Sequence, residues 1–96
     1  MIDVIDNNGP YDFICLQEVS NSDEIIKESK ILSSMNYNIH QSDSEQIGTF
    51  WNKKYHLVKN RNSEFRPGRP YQVLIFEENI CLINLHMPHV NKIFFK

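Results

Sequence analysis

The chain has no surplus of basic charge. Ten Lys and Arg face twelve Asp and Glu, for a net charge of −2 and a pI near 6.0. No positive stripe stands out, which removes non-specific electrostatic attachment to nucleic acid as a reading. It does not remove nucleases, because a bound metal ion can carry the phosphate contact. Cysteine is scarce as well, with only Cys15 and Cys81. Each lies inside an apolar run, so both read as buried free thiols of a reducing compartment and not as a disulfide framework. The zinc spacings C-x-x-C and H-x-x-x-H are absent, and His86 and His89 fall at a strand end and its loop. No apolar run approaches the ~20 residues of a membrane helix. Residues 1–9 carry Asp3 and Asp6 without a basic residue, unlike a secretory leader. These absences point to an intracellular, cytoplasmic protein with no membrane contact.

What is present fits one small domain, or a piece of a larger one. The apolar share of 41% supports a core, though not a deep one. Ile2 and Ile5 read as the last turn of a helix, stopped by Asn7-Asn8-Gly9-Pro10. Residues 11–16 read as a strand. Asn21 with Glu24 three residues later forms a helix start. Ile25, Ser29, Leu32 and Met35 then share one face, which predicts a single helix over 22–34. Short strands follow at 37–40 and 47–51, with 55–58 returning from 47–51 as a hairpin. Residues 59–70, with three arginines and two prolines, read as a long loop. Residues 71–76 and 80–86 read as two strands joined at Glu77-Glu78-Asn79. The expected class is α+β: a mostly antiparallel or mixed sheet with one main helix.

The most informative stretch is Asp12-Phe13-Ile14-Cys15-Leu16-Gln17-Glu18-Val19. A buried strand ends on an amide and a carboxylate, where the next loop opens to solvent and a site can be built. Glu45 precedes the 47–51 strand, and His86 ends the 80–86 strand. Each is an ionisable group at an element edge, which strands can deliver to one rim. The polar stretch 42–45 also offers Asp43 in place of Glu45. Trp51 reads as core, and His40, His56 and His89 as surface residues.

The Asp12–Val19 stretch resembles the D-hydrophobic-hydrophobic-x-L-Q-E-V signature of the endonuclease/exonuclease/phosphatase superfamily, the DNase-I-like proteins. Three further blocks are similar in order: Gly48-Thr49-Phe50-Trp51-Asn52-Lys53-Lys54-Tyr55, Arg69-Pro70 entering a strand, and Asn84-Leu85-His86. The resemblance implies a partial DNase-I-like sandwich over 1–96. It implies Glu18 as ligand of Mg²⁺ (or Mn²⁺), and His86 paired with Glu45 as the proton-transfer dyad. It implies Arg69 and Asn84 as substrate contacts, with Arg66 a lesser candidate for phosphate. Chemistry agrees in kind: a hard cation takes carboxylate oxygens, and a carboxylate fixes an imidazole tautomer. The implied substrate is a phosphate ester, with nucleic acid among the options.

The departures from the pattern set a limit. The superfamily's first strand, with its asparagine, and its Gly-Asp-x-Asn and Ser-Asp-His motifs do not occur in this sequence. The expectation is therefore a partial hydrolase domain, inactive or weak alone. The competing expectations are an interaction module, such as a split-domain half that pairs with a second chain carrying the missing half, or an unrelated small domain.

Overall fold

The computed structural model describes residues 2–19, 21–42, 45–66 and 68–85. In chain order the elements are α1 (Ile2–Asn8), β1 (Phe13–Val19), α2 (Ser22–Glu28), α3 (Lys30–Ser33), β2 (Asn36–Ser42), β3 (Glu45–Trp51), β4 (Leu57–Glu64), β5 (Pro70–Phe76) and β6 (Ile80–Leu85). The strands form two three-stranded sheets, ordered β1-β3-β2 and β4-β5-β6, and every pairing is antiparallel.

Alternation along the strands decides which layer each side chain enters. In β3, Gly48 and Phe50 face the helices, while Thr49 and Trp51 face the second sheet. The helix-side layer is apolar. Ile5, Leu32, Met35 and Phe50 are buried there, with Ile14, Leu16, Ile25, Ile31 and Ile39 packed around them. Between the sheets, Trp51, Leu74 and Phe76 are buried against Phe13, Tyr55, Leu57 and Leu82. The ring contacts Phe13–Tyr55, Phe13–Phe76 and Trp51–Phe76 have centroids 4.7, 5.4 and 5.5 Å apart. Trp51 is thus a core residue, as its setting in the sequence suggests.

The expected class, α+β as a partial DNase-I-like sandwich with one main helix over 22–34, is not what forms. The described residues are mostly β, and their helices are short. The helix breaks at Ser29, whose backbone is extended at φ −84°, ψ 125°. Ser29 Oγ accepts from the Leu32 amide at 3.1 Å and donates to Asp6 Oδ1 at 2.7 Å. Asp6 also accepts from the amides of Lys30 (3.1 Å) and Ile31 (3.2 Å), so α3 starts afresh under a carboxylate from α1. The Ser29 hydroxyl, with those amides, holds the Asp6 carboxyl below its usual range. Local periodicity continues through the break, because the residue that makes it is 23 positions away.

Three smaller expectations also change. β4 occupies 57–64, half of the expected loop, leaving 65–69 as the connection. β4 is an edge strand with polar side chains in water, so it has no apolar alternation to read. Nor do 47–51 and 55–58 form a hairpin: β3 pairs with β1 and β2, and 52–56 carries the chain to the other sheet. The cysteines are both exposed. The turn after β5 does form, with Asn79 at φ 63°, a left-handed conformation that asparagine tolerates. Among the described residues no helix is long and apolar enough to cross a membrane.

Candidate functional site

The L-Q-E segment contains a register irregularity. Leu16 pairs with Gly48 and Val19 with Gln46, so Gln17 and Glu18 together oppose Ile47. This is a β-bulge, a device that bends a strand and re-aims a side chain, and bulges are frequent beside functional sites. The extra residue in the bulge brings Val19 back into the buried helix-side layer.

Gln17 then reaches across to the second sheet. Its Nε2 donates to the Leu85 carbonyl and to Asn84 Oδ1, the latter at 3.3 Å. Asn84 is 2% exposed. Its Nδ2 donates to the Gly48 carbonyl at 3.1 Å, and Thr49 Oγ1, Gln72 Oε1 and the Leu16 carbonyl lie at 3.3–3.4 Å. Thr49 Oγ1 donates to Gln72 Oε1 at 2.7 Å. Gln72 Nε2 donates to the Asn38 carbonyl (2.8 Å) and Oδ1 (2.9 Å), and Asn62 Nδ2 also donates to that Oδ1 (2.9 Å). Buried amides of this kind are stable only when satisfied, and here each has partners in both sheets.

The register brings six strand ends to one rim. β1 ends beside the start of β3, and Ser42 at the end of β2 pairs with Glu45. Ser42 Oγ donates to Glu64 Oε1 at the end of β4. Glu64 pairs with Pro70, and Tyr71 with Leu85, the last residue of β6.

Each expected site residue has a definite place, with two exceptions. The Glu18 backbone lies in the bulge, and the Glu45 backbone opens β3 at the same end of the first sheet. His86 and Asp43 lie outside the described residues. Leu85, the residue before His86, is held to the L-Q-E strand by Gln17. Arg69 immediately precedes β5 at this rim. Its Nη1 donates to the Gly68 carbonyl at 3.3 Å, and its Nε is buried without a partner among the described residues. Arg66 is exposed on the 65–69 loop. Asn84 is packed within the polar layer, so the structure gives it to the protein's interior and not to a ligand.

Two features were missed in the sequence. The polar layer built on Thr49, Gln72 and Asn84 had a visible signal, since Gln72 interrupts an otherwise apolar strand at an inward position. His40, expected at the surface, is half-buried, and its Nε2 is sealed without a partner among the described residues. A separate His56, Glu77 and Glu78 group sits at the opposite end of the second sheet. All three are exposed, and their candidate ligand atoms lie within 4.8 Å of one another. It forms an ion pair, with His56 Nδ1 2.8 Å from Glu78 Oε2 and 3.7 Å from Glu77 Oε2.

No known protein family matches the chain, and no solved structure matches it. It is similar to an uncharacterized protein of Acanthamoeba polyphaga mimivirus, 38% identical over 89 residues. That match covers 88% of this chain and 18% of the viral protein, so the chain spans under a fifth of its relative's length.

Proposed function

We propose that this chain carries part of a phosphoric-ester hydrolase site of the endonuclease/exonuclease/phosphatase kind, with little or no turnover alone. The observation that carries the reading is the Gln17 contact. It joins the L-Q-E block to the N-x-H block, which are 68 residues apart in sequence. A shared site requires these two blocks to meet. The bulge at Gln17 and Glu18 is a second support, because it falls on the position the resemblance assigns to the metal.

The donor set suits magnesium. Glu18 offers hard anionic oxygens, and Mg²⁺ takes one or two carboxylates plus waters and substrate phosphate. When bound, the ion would neutralise charge on the phosphoryl group. The chain's own residues do the remainder in this reading. Glu18 holds the ion, His86 moves a proton with Glu45 fixing its tautomer, and Arg69 binds phosphate. Asn84 acts as a positioning residue, securing β6 beneath the rim. Turnover is weak because the Gly-Asp-x-Asn and Ser-Asp-His motifs are absent from the sequence.

Mn²⁺ binding followed by electron paramagnetic resonance tests the metal, and cleavage of plasmid DNA and of bis(p-nitrophenyl) phosphate tests turnover. The expected result is Mn²⁺ binding that falls at least tenfold in Glu18→Ala, with marginal hydrolysis. Equal Mn²⁺ binding by the wild type and Glu18→Ala overturns the assignment. Robust hydrolysis that vanishes in Glu18→Ala overturns the claim of weak activity alone.

A second reading, an interaction module, is favoured by the outer face of the second sheet. Val58 and Ile83 are 62% and 56% exposed there, whereas the helices cover the first sheet. Light scattering decides it: a clean monomer at high concentration argues against a module that needs a partner.

A further inference from the structure

We infer that the outer face of the second sheet docks an acidic polypeptide segment that also carries apolar side chains. This deepens the second reading above, on which it rests, by stating the chemistry of the partner.

Register decides which side chains share this face. Across β4, β5 and β6 the outward rows are Lys59-Ile75-Cys81, Arg61-Val73-Ile83 and Ser63-Tyr71-Leu85. The residues between them, Asn62, Gln72 and Asn84 included, enter the layer between the sheets. The outward face is therefore graded, cationic along the β4 edge and aliphatic over β5 and β6. Ile75 and Ile83 are exposed on it, as is Val58 beside Lys59. An open groove of about 310 Å³ follows the boundary, with Lys59, Asn60 and Arg61 on one side and Tyr71, Val73 and Ile75 on the other. In a loop Lys59 and Arg61 would share no direction; as alternate residues of a strand they do.

What the face lacks is a carboxylate. None of those nine positions is acidic, in a chain whose net charge is −2. Glu64 turns to Ser42 of the first sheet, and Glu77 and Glu78 lie beyond the face with His56. Neither Lys59 nor Arg61 makes an ion pair or a side-chain hydrogen bond among the described residues. The complement of this surface carries acids to meet the cations and apolar groups to cover the aliphatic floor. Three other occupants fit it less well. A second copy laid on the same face would bring no carboxylate, because the face has none. Single-stranded nucleic acid stacks its bases on aromatic rings, and the one ring here, Tyr71, already packs on Phe65 with centroids 4.9 Å apart. An anionic membrane is gripped by clusters of roughly four to eight cations, and this face has two.

The test titrates the full ¹⁵N-labelled chain with a short synthetic peptide that alternates Glu with Leu and Val, and with its Gln counterpart. The expected result is a saturable shift of the amides at 59–61 and 73–75 with the Glu peptide, weakening as salt rises. Lys59→Gln combined with Arg61→Gln should weaken binding about tenfold, on the scale of two exposed ion pairs, and Ile75→Thr by less. These side chains are exposed, so the variants should keep the fold. Lys54→Gln, which removes a cation elsewhere, should leave binding unchanged. Equal binding of the Glu and Gln peptides, or of the wild type and the double variant, overturns the proposal. Tighter binding of oligo-dT or of phosphatidylserine vesicles also overturns it, giving the face to nucleic acid or to a membrane. Amides that do not shift overturn it too, and leave Lys59 and Arg61 as charges that keep the β4 edge from pairing. Self-association in light scattering without peptide binding would sink this partner and keep the interaction reading. A clean monomer that also ignores the peptide would sink both.

Discussion

The two ends of the layer between the sheets are built of opposite material. Away from the rim, Phe13, Trp51, Tyr55 and Phe76 pack ring against ring. Toward the rim, Gln17, Thr49, Gln72 and Asn84 replace them with amides and a hydroxyl. The aromatic end gains its stability from apolar area removed from water, a force that is non-directional. The polar end gains little net stability, because each internal hydrogen bond replaces one to water. It gains direction instead, since an amide fixes its partners' positions to a few tenths of an ångström. The layer therefore holds the sheets together at one end and sets the register of β1 against β6 at the other.

Truncation at the aromatic end should cost most. Phe76 is 2% exposed and contacts the rings of Phe13, Trp51 and Tyr55. Phe76→Ala should destabilise the chain by about 3–5 kcal/mol, from lost transfer energy plus the cavity left behind. Urea unfolding measures this. A cost under about 1 kcal/mol would mean that the aromatic end is not where the sheets are held.

The next effect is smaller in energy and larger at the rim. Asn84→Ala should cost about 1–3 kcal/mol, because it takes a donor from the buried Gly48 carbonyl and from the Thr49 and Gln72 side chains. Its distinguishing consequence is positional. Amide exchange at Leu85 and Gln17 should quicken more than exchange at Phe76, whereas Phe76→Ala should quicken all three. Equal acceleration at both ends in Asn84→Ala would erase the distinction between a holding end and a positioning end.

Sequence reasoning reads these regions unequally, for physical reasons. The strands at β1, β3, β5 and β6 are legible because each buries alternate side chains in a layer. The 59–64 part of β4 is not, because an edge strand with polar side chains carries no such pattern. The break at Ser29 is set by Asp6, a partner from another helix, so the 22–34 periodicity misleads. At the rim, residue types were legible at Glu18, Glu45 and Arg69 because charge at a strand edge is conspicuous. The roles of Gln17 and Asn84 were not, since an amide's part depends on what it meets across the layer. Gln72 was the available clue, a polar residue at an inward position of an apolar strand. The two exposed cysteines show the converse: an apolar run says that a strand is buried on one face, not which residues face in.

The smallest effect belongs to the solvent-exposed edge of the aromatic end, at the turn between β5 and β6. There the His56–Glu78 pair ties the start of β4 to the β5–β6 turn, aided by the His56 amide donating to Glu78 Oε1 at 3.0 Å. The Glu78 carboxylate holds the His56 imidazole above its usual range, and Glu77 adds to it. The His56 amide and then its ring hold the Glu78 carboxyl below its usual range. For His56 the folded pKa is raised, so its contribution is complete below the ordinary 6.5 and is lost as pH rises through the folded value. For Glu78 the folded pKa is lowered, so its contribution is complete above the ordinary 4.5 and is lost as pH falls through the folded value. The pair is one interaction seen from both partners, with a plateau between those two values. Both groups are open to solvent, so salt screens them. His56→Gln should therefore lower stability slightly at about pH 5.5 and not at about pH 8.5, and roughly 0.5 M salt should abolish the difference. Parallel urea midpoints of the two proteins across that range measure it. A deficit that is the same at both pH values would show that the imidazole acts here by packing, as the rings beneath it do, and not by charge.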